Sequence, residues 1–117
     1  MATPKFQNVT GMPDILPKDR RIFDVIERAS FKIASYYGYE RMETPVVEFS
    51  ELFEKGTGQT TDIVQKQMYN LTTEGEDKLT LRPEFTPSIV RAYIQHGMVS
   101  WTQPVKISTV GPLFRHE

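Results

Sequence analysis

The 117-residue chain predicts an α+β domain with a mainly antiparallel sheet flanked by helices. Two stretches, near residues 17–37 and 86–97, place apolar residues at helical spacing. One pair of alternating runs brackets a polar, glycine-centred segment, the pattern of a β-hairpin. The order is helix, strand, hairpin, helix, strands. Hairpins beside helices, rather than strict strand–helix alternation, give an α+β sheet.

Residues 1–16 are irregular, punctuated by Gly11, Pro13 and Asp14. Pro17 suits a first helical position, where its missing N–H costs nothing. Ile22, Ile26, Ala29, Ile33 and Tyr37 recur at steps of three or four and form one apolar face. Gly38 then acts as a C-terminal cap, so a helix is expected over residues 17–37. A strand follows over residues 39–48, carrying Val46 and Val47. Pro45 lies inside it and cannot donate to a ladder, which points to an edge, a bulge or a bend. Residues 49–55 read as a short helix and the GTGQTT segment, 56–61, as a loop. Gln67, Tyr69 and Leu71 alternate with polar partners, and Leu79 and Leu81 alternate with Thr80 and Arg82. Gly75 centres the hairpin turn between them. Thr86 reads as an N-cap, with Pro87 in the first helical turn. Ile89, Val90, Tyr93 and Ile94 supply that helix's apolar stripe, and Gly97 its stop. Val105, Ile107 and Thr109 alternate with Lys106 and Ser108 in a further strand. Gly111-Pro112 interrupts it, and residues 113–117 begin another strand.

The bulk numbers exclude several classes. Hydrophobic residues make up 38% and charged residues 25%, a soluble globular composition rather than a disordered one. The net charge of -1 carries no basic footprint of a dedicated nucleic-acid module. There are no cysteines, so disulfides, Cys-based zinc sites and Cys nucleophiles are out. His96 and His116 are too few for a metal cluster, and no metal site is expected. The N-terminus has no apolar signal core, and no run approaches the about 18 apolar residues of a membrane span. A cytoplasmic protein with no membrane partner is expected. Because the sequence stops inside a strand, the chain is expected to be a fragment of a longer protein.

Three stretches carry chemistry. In Phe114-Arg115-His116-Glu117 a strand would point Arg115 and Glu117 to one face and Phe114 and His116 to the other. Arginine's planar fork matches two phosphate oxygens, so this face is a substrate floor or, equally simply, a surface ion pair. In Leu79 to Thr86, Glu84 sits where a strand gives way to a helix. Its carboxylate either binds an ammonium group or only complements the helix dipole. In Glu54 to Val64, Gly56 and Gly58 admit close backbone approach to a ligand, or mark a plain loop. This is not the phosphate-binding GxGxxG, since no third glycine follows.

Together these pieces resemble the histidyl-tRNA synthetase family in order and spacing. The resemblance runs from GMPDILPKD at Gly11 through GTGQTTDIV, KQMYNL, LTLRPEFT and RAYIQHG to VGPLFRHE, nearly the whole chain. It implies the class II aminoacyl-tRNA synthetase fold, here a partial domain spanning residues 1–117. The first class II motif corresponds to about residues 17–48, with Pro45 on its signature proline at the dimer interface. The second motif begins at about residues 105–117 and is truncated. Arg115 matches the arginine that holds the α-phosphate of ATP and is the catalytic candidate. Glu117 matches the glutamate near the adenine. Glu84, Phe85 and Thr86 match the positions that grip the α-amino group of histidine, although Phe85 stands where many members carry glycine.

The implied activity is that of a histidine–tRNA ligase, with histidine, ATP and tRNA(His) as substrates. Mg2+ accompanies ATP, no cofactor is permanently bound, and the assembly is a homodimer. The isolated chain is expected to have little activity, because the rest of the second motif, the third motif and the anticodon-binding domain are absent. Two alternatives stand beside this. One is the synthetase-like regulatory subunit of ATP phosphoribosyltransferase, which senses histidine. The other is a non-catalytic dimerisation module.

Overall fold

The computed structural model describes residues 2–55 and 67–116, in two units, Met1–Tyr39 and Glu40–Glu117. The expected GTGQTT loop and Glu117 lie outside the described residues.

The first unit carries helix α1, Pro17–Tyr36. Proline occupies its first turn, as the sequence predicts, and extended Leu16 precedes it without a side-chain cap. The helix ends one residue before the predicted end. Gly38 adopts φ +83°, a left-handed conformation that only glycine enters without steric cost. This lets the N–H groups of Tyr37, Gly38 and Tyr39 turn back to the carbonyls of residues 33–35. Ile22, Ile26 and Ile33 lie on the predicted apolar face, but no α1 residue is buried, and Ile33 is 61% exposed.

The second unit holds two small sheets. Strand β1, Glu40–Arg41, pairs in parallel with β5, Ile107–Ser108. Strands β2 (Val47–Phe49), β3 (Asn70–Thr72) and β4 (Lys78–Leu81) form an antiparallel sheet in the order β2-β4-β3. The continuous strand expected over residues 39–48 is therefore split. Pro45 lies in the break between β1 and β2, which belong to different sheets, so the awkward proline marks a bend. The strand expected around Ile107 shrinks to two residues, and that expected over 113–117 forms no ladder. Pro112 cannot donate, and the partners of the segment change along its length. Phe114 N–H donates to Arg82 O at 3.0 Å and His116 N–H to Gln67 O.

Helix α2, Ser50–Lys55, follows β2 directly, as expected. The β3–β4 hairpin forms at the predicted place, but its left-handed residue is Glu76 (φ +65°) rather than Gly75. Helix α3, Thr86–Gln95, ends where left-handed Gly97 (φ +63°) opens a 3-10 turn over Met98–Ser100.

The hairpin buries the face opposite to the one that the leucines suggest. Register places Glu48 and Asn70 across from Thr80, while Val47 and Phe49 face Leu81 and Leu79. Thr80 is fully buried and Phe49 is 64% exposed. Buried polar groups must be hydrogen-bonded, and these are. Thr80 donates its one hydroxyl hydrogen to Asn70 Oδ1 at 2.8 Å, so Ser50 Oγ, 2.7 Å away, donates to Thr80. Glu48 receives two bonds from Arg91, from Nε at 2.8 Å and Nη2 at 2.7 Å, tying β2 to α3. Phe53, Met68, Ala92 and Met98 fill the space beside this polar layer. Among the described residues, no helix is long and apolar enough to cross a membrane.

Candidate functional site

The candidate residues gather where β4 runs out. Pro83 follows Arg82 and closes the ladder, because it has no N–H to give. Residues 83–85 then lead into α3. The N-cap is Phe85, with helical backbone and no side-chain cap, so Thr86 is the first helical residue. This corrects the reading of Thr86 as an N-cap. Since Pro87 in the first turn needs no donor partner, the helix starts without one. Thr86 is exposed and Glu84 half-buried, and neither side chain bonds to any described residue.

Arg115 reaches the same turn from the other direction. Its Nε donates to Pro83 O at 3.1 Å, one residue before Glu84. Its terminal nitrogens have no partner among the described residues, and no ion pair joins it to Glu84. The Arg115 guanidinium thus reaches the main chain of the turn that bears Glu84 without an ion pair to that carboxylate. Such a site suits a ligand carrying both an ammonium group and an anionic group. The neighbouring His116 ring meets Tyr69 edge to face at 5.6 Å.

Phe85 has a role that the sequence did not suggest. Its ring lies beneath the Arg82 guanidinium, 4.8 Å from carbon to ring centroid. Arg82 is only 4% exposed and has no carboxylate partner among the described residues. Its Nε donates to Pro112 O at 3.0 Å and Nη1 to Thr44 O at 2.8 Å. Sequence reasoning passed over Arg82 as the polar half of an alternating strand. Pro45 is exposed, and its neighbours Thr44 and Val46 both bond to Arg82. Glu117 and the residue 56–64 loop lie outside the described residues.

The histidyl-tRNA synthetase family model matches residues 11–117. The chain belongs to the histidyl-tRNA synthetase family. A histidine–tRNA ligase of Dehalococcoides mccartyi is 45% identical over 112 residues, 96% of this chain and 27% of that protein. Apo S. aureus histidyl-tRNA synthetase superposes with a TM-score of 0.81 at 33% identity, over 94% of this chain and 26% of that one. A Bacillus halodurans protein, described as an ATP phosphoribosyltransferase regulatory subunit/histidyl-tRNA synthetase, gives 0.80 at 25% identity, over 99% and 30% of the two chains. The chain thus spans about a quarter of the length of the relatives it matches. The fold expectation holds: this is the α+β architecture of part of a class II synthetase, with antiparallel sheet and helices.

Proposed function

We propose that this chain is the N-terminal part of the catalytic domain of a histidine–tRNA ligase. Histidine and ATP give histidyl-adenylate and pyrophosphate. The histidyl group then passes to the 3′ end of tRNA(His), releasing AMP. The observation that carries the reading is the Arg115 guanidinium bonded to the turn that bears Glu84, whose carboxylate has no partner among the described residues, in a chain of this family.

Each residue has a task that its chemistry suits. Glu84 and Thr86, with the backbone at Phe85, take the α-amino group of histidine. Arg115 takes the α-phosphate as the histidine carboxylate attacks it, offsetting the negative charge that builds up there. Glu117 lies on the adenine side. Mg2+ enters with ATP and screens its phosphates. No nucleophilic side chain is required, because the catalysis is positioning plus charge stabilisation. The protein works in the cytoplasm as a homodimer. The apolar face of α1 and the bend at Pro45 support the dimer, since an uncovered row of isoleucines marks an interaction surface.

Histidine-dependent ATP–pyrophosphate exchange tests the reading, on this chain and on the full-length protein that contains it. Exchange is expected in the full-length protein and little in the chain alone. Glu84→Gln in the full-length protein is expected to raise KM for histidine at least about tenfold, the cost of a lost charge-assisted bond. A folded full-length protein that binds histidine without exchange would sink the ligase reading. It would move the assignment to a histidine-sensing regulatory subunit, which the likeness to the Bacillus halodurans protein keeps in view.

A further inference from the structure

The buried guanidinium of Arg82 has no anionic partner among the described residues. Desolvating a charge is costly, and an apolar side chain of similar volume would ordinarily pack better. What arginine alone supplies is a rigid fork of donors with a flat face. Arg82 uses both the fork and the face. Nε holds Pro112 O, Nη1 holds Thr44 O, and the flat face rests on Phe85. The main chain of the same residue joins in, taking Val46 O at 2.9 Å through its N–H and receiving Phe114 N–H at 3.0 Å.

The prolines explain why a side chain is needed. Pro83 and Pro112 cannot donate, so a regular ladder cannot close between their segments. Two guanidinium groups supply the missing donors. Arg82 bonds to Pro112 O, and Arg115 bonds to Pro83 O. The sequence also leaves room. A Cβ at Gly111 would collide with Arg82 Nη2.

We propose that Arg82 is a positioning residue, whose guanidinium fixes the spacing between the turn bearing Glu84 and the segment bearing Arg115. The inference rests on the ligase reading above, in which these two groups hold histidine and ATP. Arg82 touches neither substrate. It sets the distance between the groups that do.

The test uses the full-length protein with wild type, Arg82→Gln, Arg82→Lys and Gly111→Ala. Histidine-dependent pyrophosphate exchange gives kcat and both KM values, and thermal melting and amide hydrogen exchange report folding. Arg82→Gln is expected to stay folded at the assay temperature while kcat falls about 100-fold, the penalty for misplacing a reacting group by about an ångström. KM should rise for histidine and ATP together, and protection should drop over residues 83–86 and 111–116 but not across β3. Arg82→Lys keeps the charge without the fork and should not rescue. Gly111→Ala keeps the arginine and only displaces it, so it should lose activity in the same direction and more mildly. Values of kcat and both KM within about twofold of wild type in folded Arg82→Gln would overturn the inference, as would full rescue by lysine. If Arg82→Gln does not fold, Gly111→Ala decides, and wild-type kinetics there overturn it. No exchange in the wild-type protein would instead bring down the ligase reading, and the inference with it.

Discussion

Thr86 shows how one residue type serves two incompatible readings. A threonine before a proline and an apolar stripe is a good N-cap in sequence, yet its side chain caps nothing. The proline occupies the first turn in either register, so it could not tell the two starts apart. Thr86→Ala is therefore expected to change stability by less than about 0.5 kcal/mol, where loss of a true cap costs about 1 kcal/mol. Urea unfolding distinguishes them. Glu84 and Arg115 stand out in the sequence as candidates because charged residues at a strand end and a helix start are chemically conspicuous. Arg82 was not, because burial of a cation is a tertiary fact. Only the contacts with Thr44, Pro112 and Phe85, distant in sequence or hidden behind a proline, reveal it.

Elements were legible wherever local chemistry sets them. Helices α1, α2 and α3 fall within a residue or so of expectation, since periodicity and capping glycines are written locally, and the hairpin forms where expected although β3 starts at Asn70 rather than Gln67. The strands around residues 39–48 and 105–117 were over-extended, because sequence alternation does not say which partner a strand will find. The Glu48–Arg91 pair shows what partners add. Glu48 is 7% and Arg91 28% exposed, so removing the arginine strands a nearly buried carboxylate. Arg91→Met is expected to cost about 2–3 kcal/mol, reduced by the water that reaches Arg91. Glu48→Leu with Arg91→Met should return to within about 1 kcal/mol of wild type, read as a double-mutant cycle. On α2 the exposed Glu51–Lys55 pair acts more weakly. A hydrogen bond from Lys55, and then its charge, hold Glu51 below the ordinary 4.5, and the hydrogen bond to Glu51, and then that carboxylate's charge, raise Lys55 above 10.5. The glutamate's share of stability is present above its unfolded value and lost as pH falls through the lowered one. The lysine's share is present below its unfolded value and lost as pH rises through the raised one. Both shares should be small and shrink further in 1 M salt, on the order of a screened surface pair, as melting curves in low and high salt will show.

For the molecule as a whole, the α+β class and the family were legible, because a set of short motifs in fixed order is more specific than any one of them. The exposure of the apolar face of α1 was not, since periodicity shows such a face without showing whether anything lies on it. Ile22→Glu with Ile26→Glu is expected to leave the melting temperature nearly unchanged, because neither residue is buried. In the full-length protein the same pair should convert a dimer to a monomer in sedimentation equilibrium, and an unaltered dimer would place the interface elsewhere. The hydroxyl and carboxylate layer beneath β4 has a thermal consequence of its own. Six apolar side chains, two of them prolines, are buried among the described residues, beside five polar or charged ones. Apolar exposure raises the heat capacity on unfolding and polar exposure lowers it, so calorimetry should find an increment below the about 12–15 cal/mol/K per residue of ordinary domains. Stability then varies little with temperature, and chilling, which weakens greasy interiors, takes little from one held by hydroxyls.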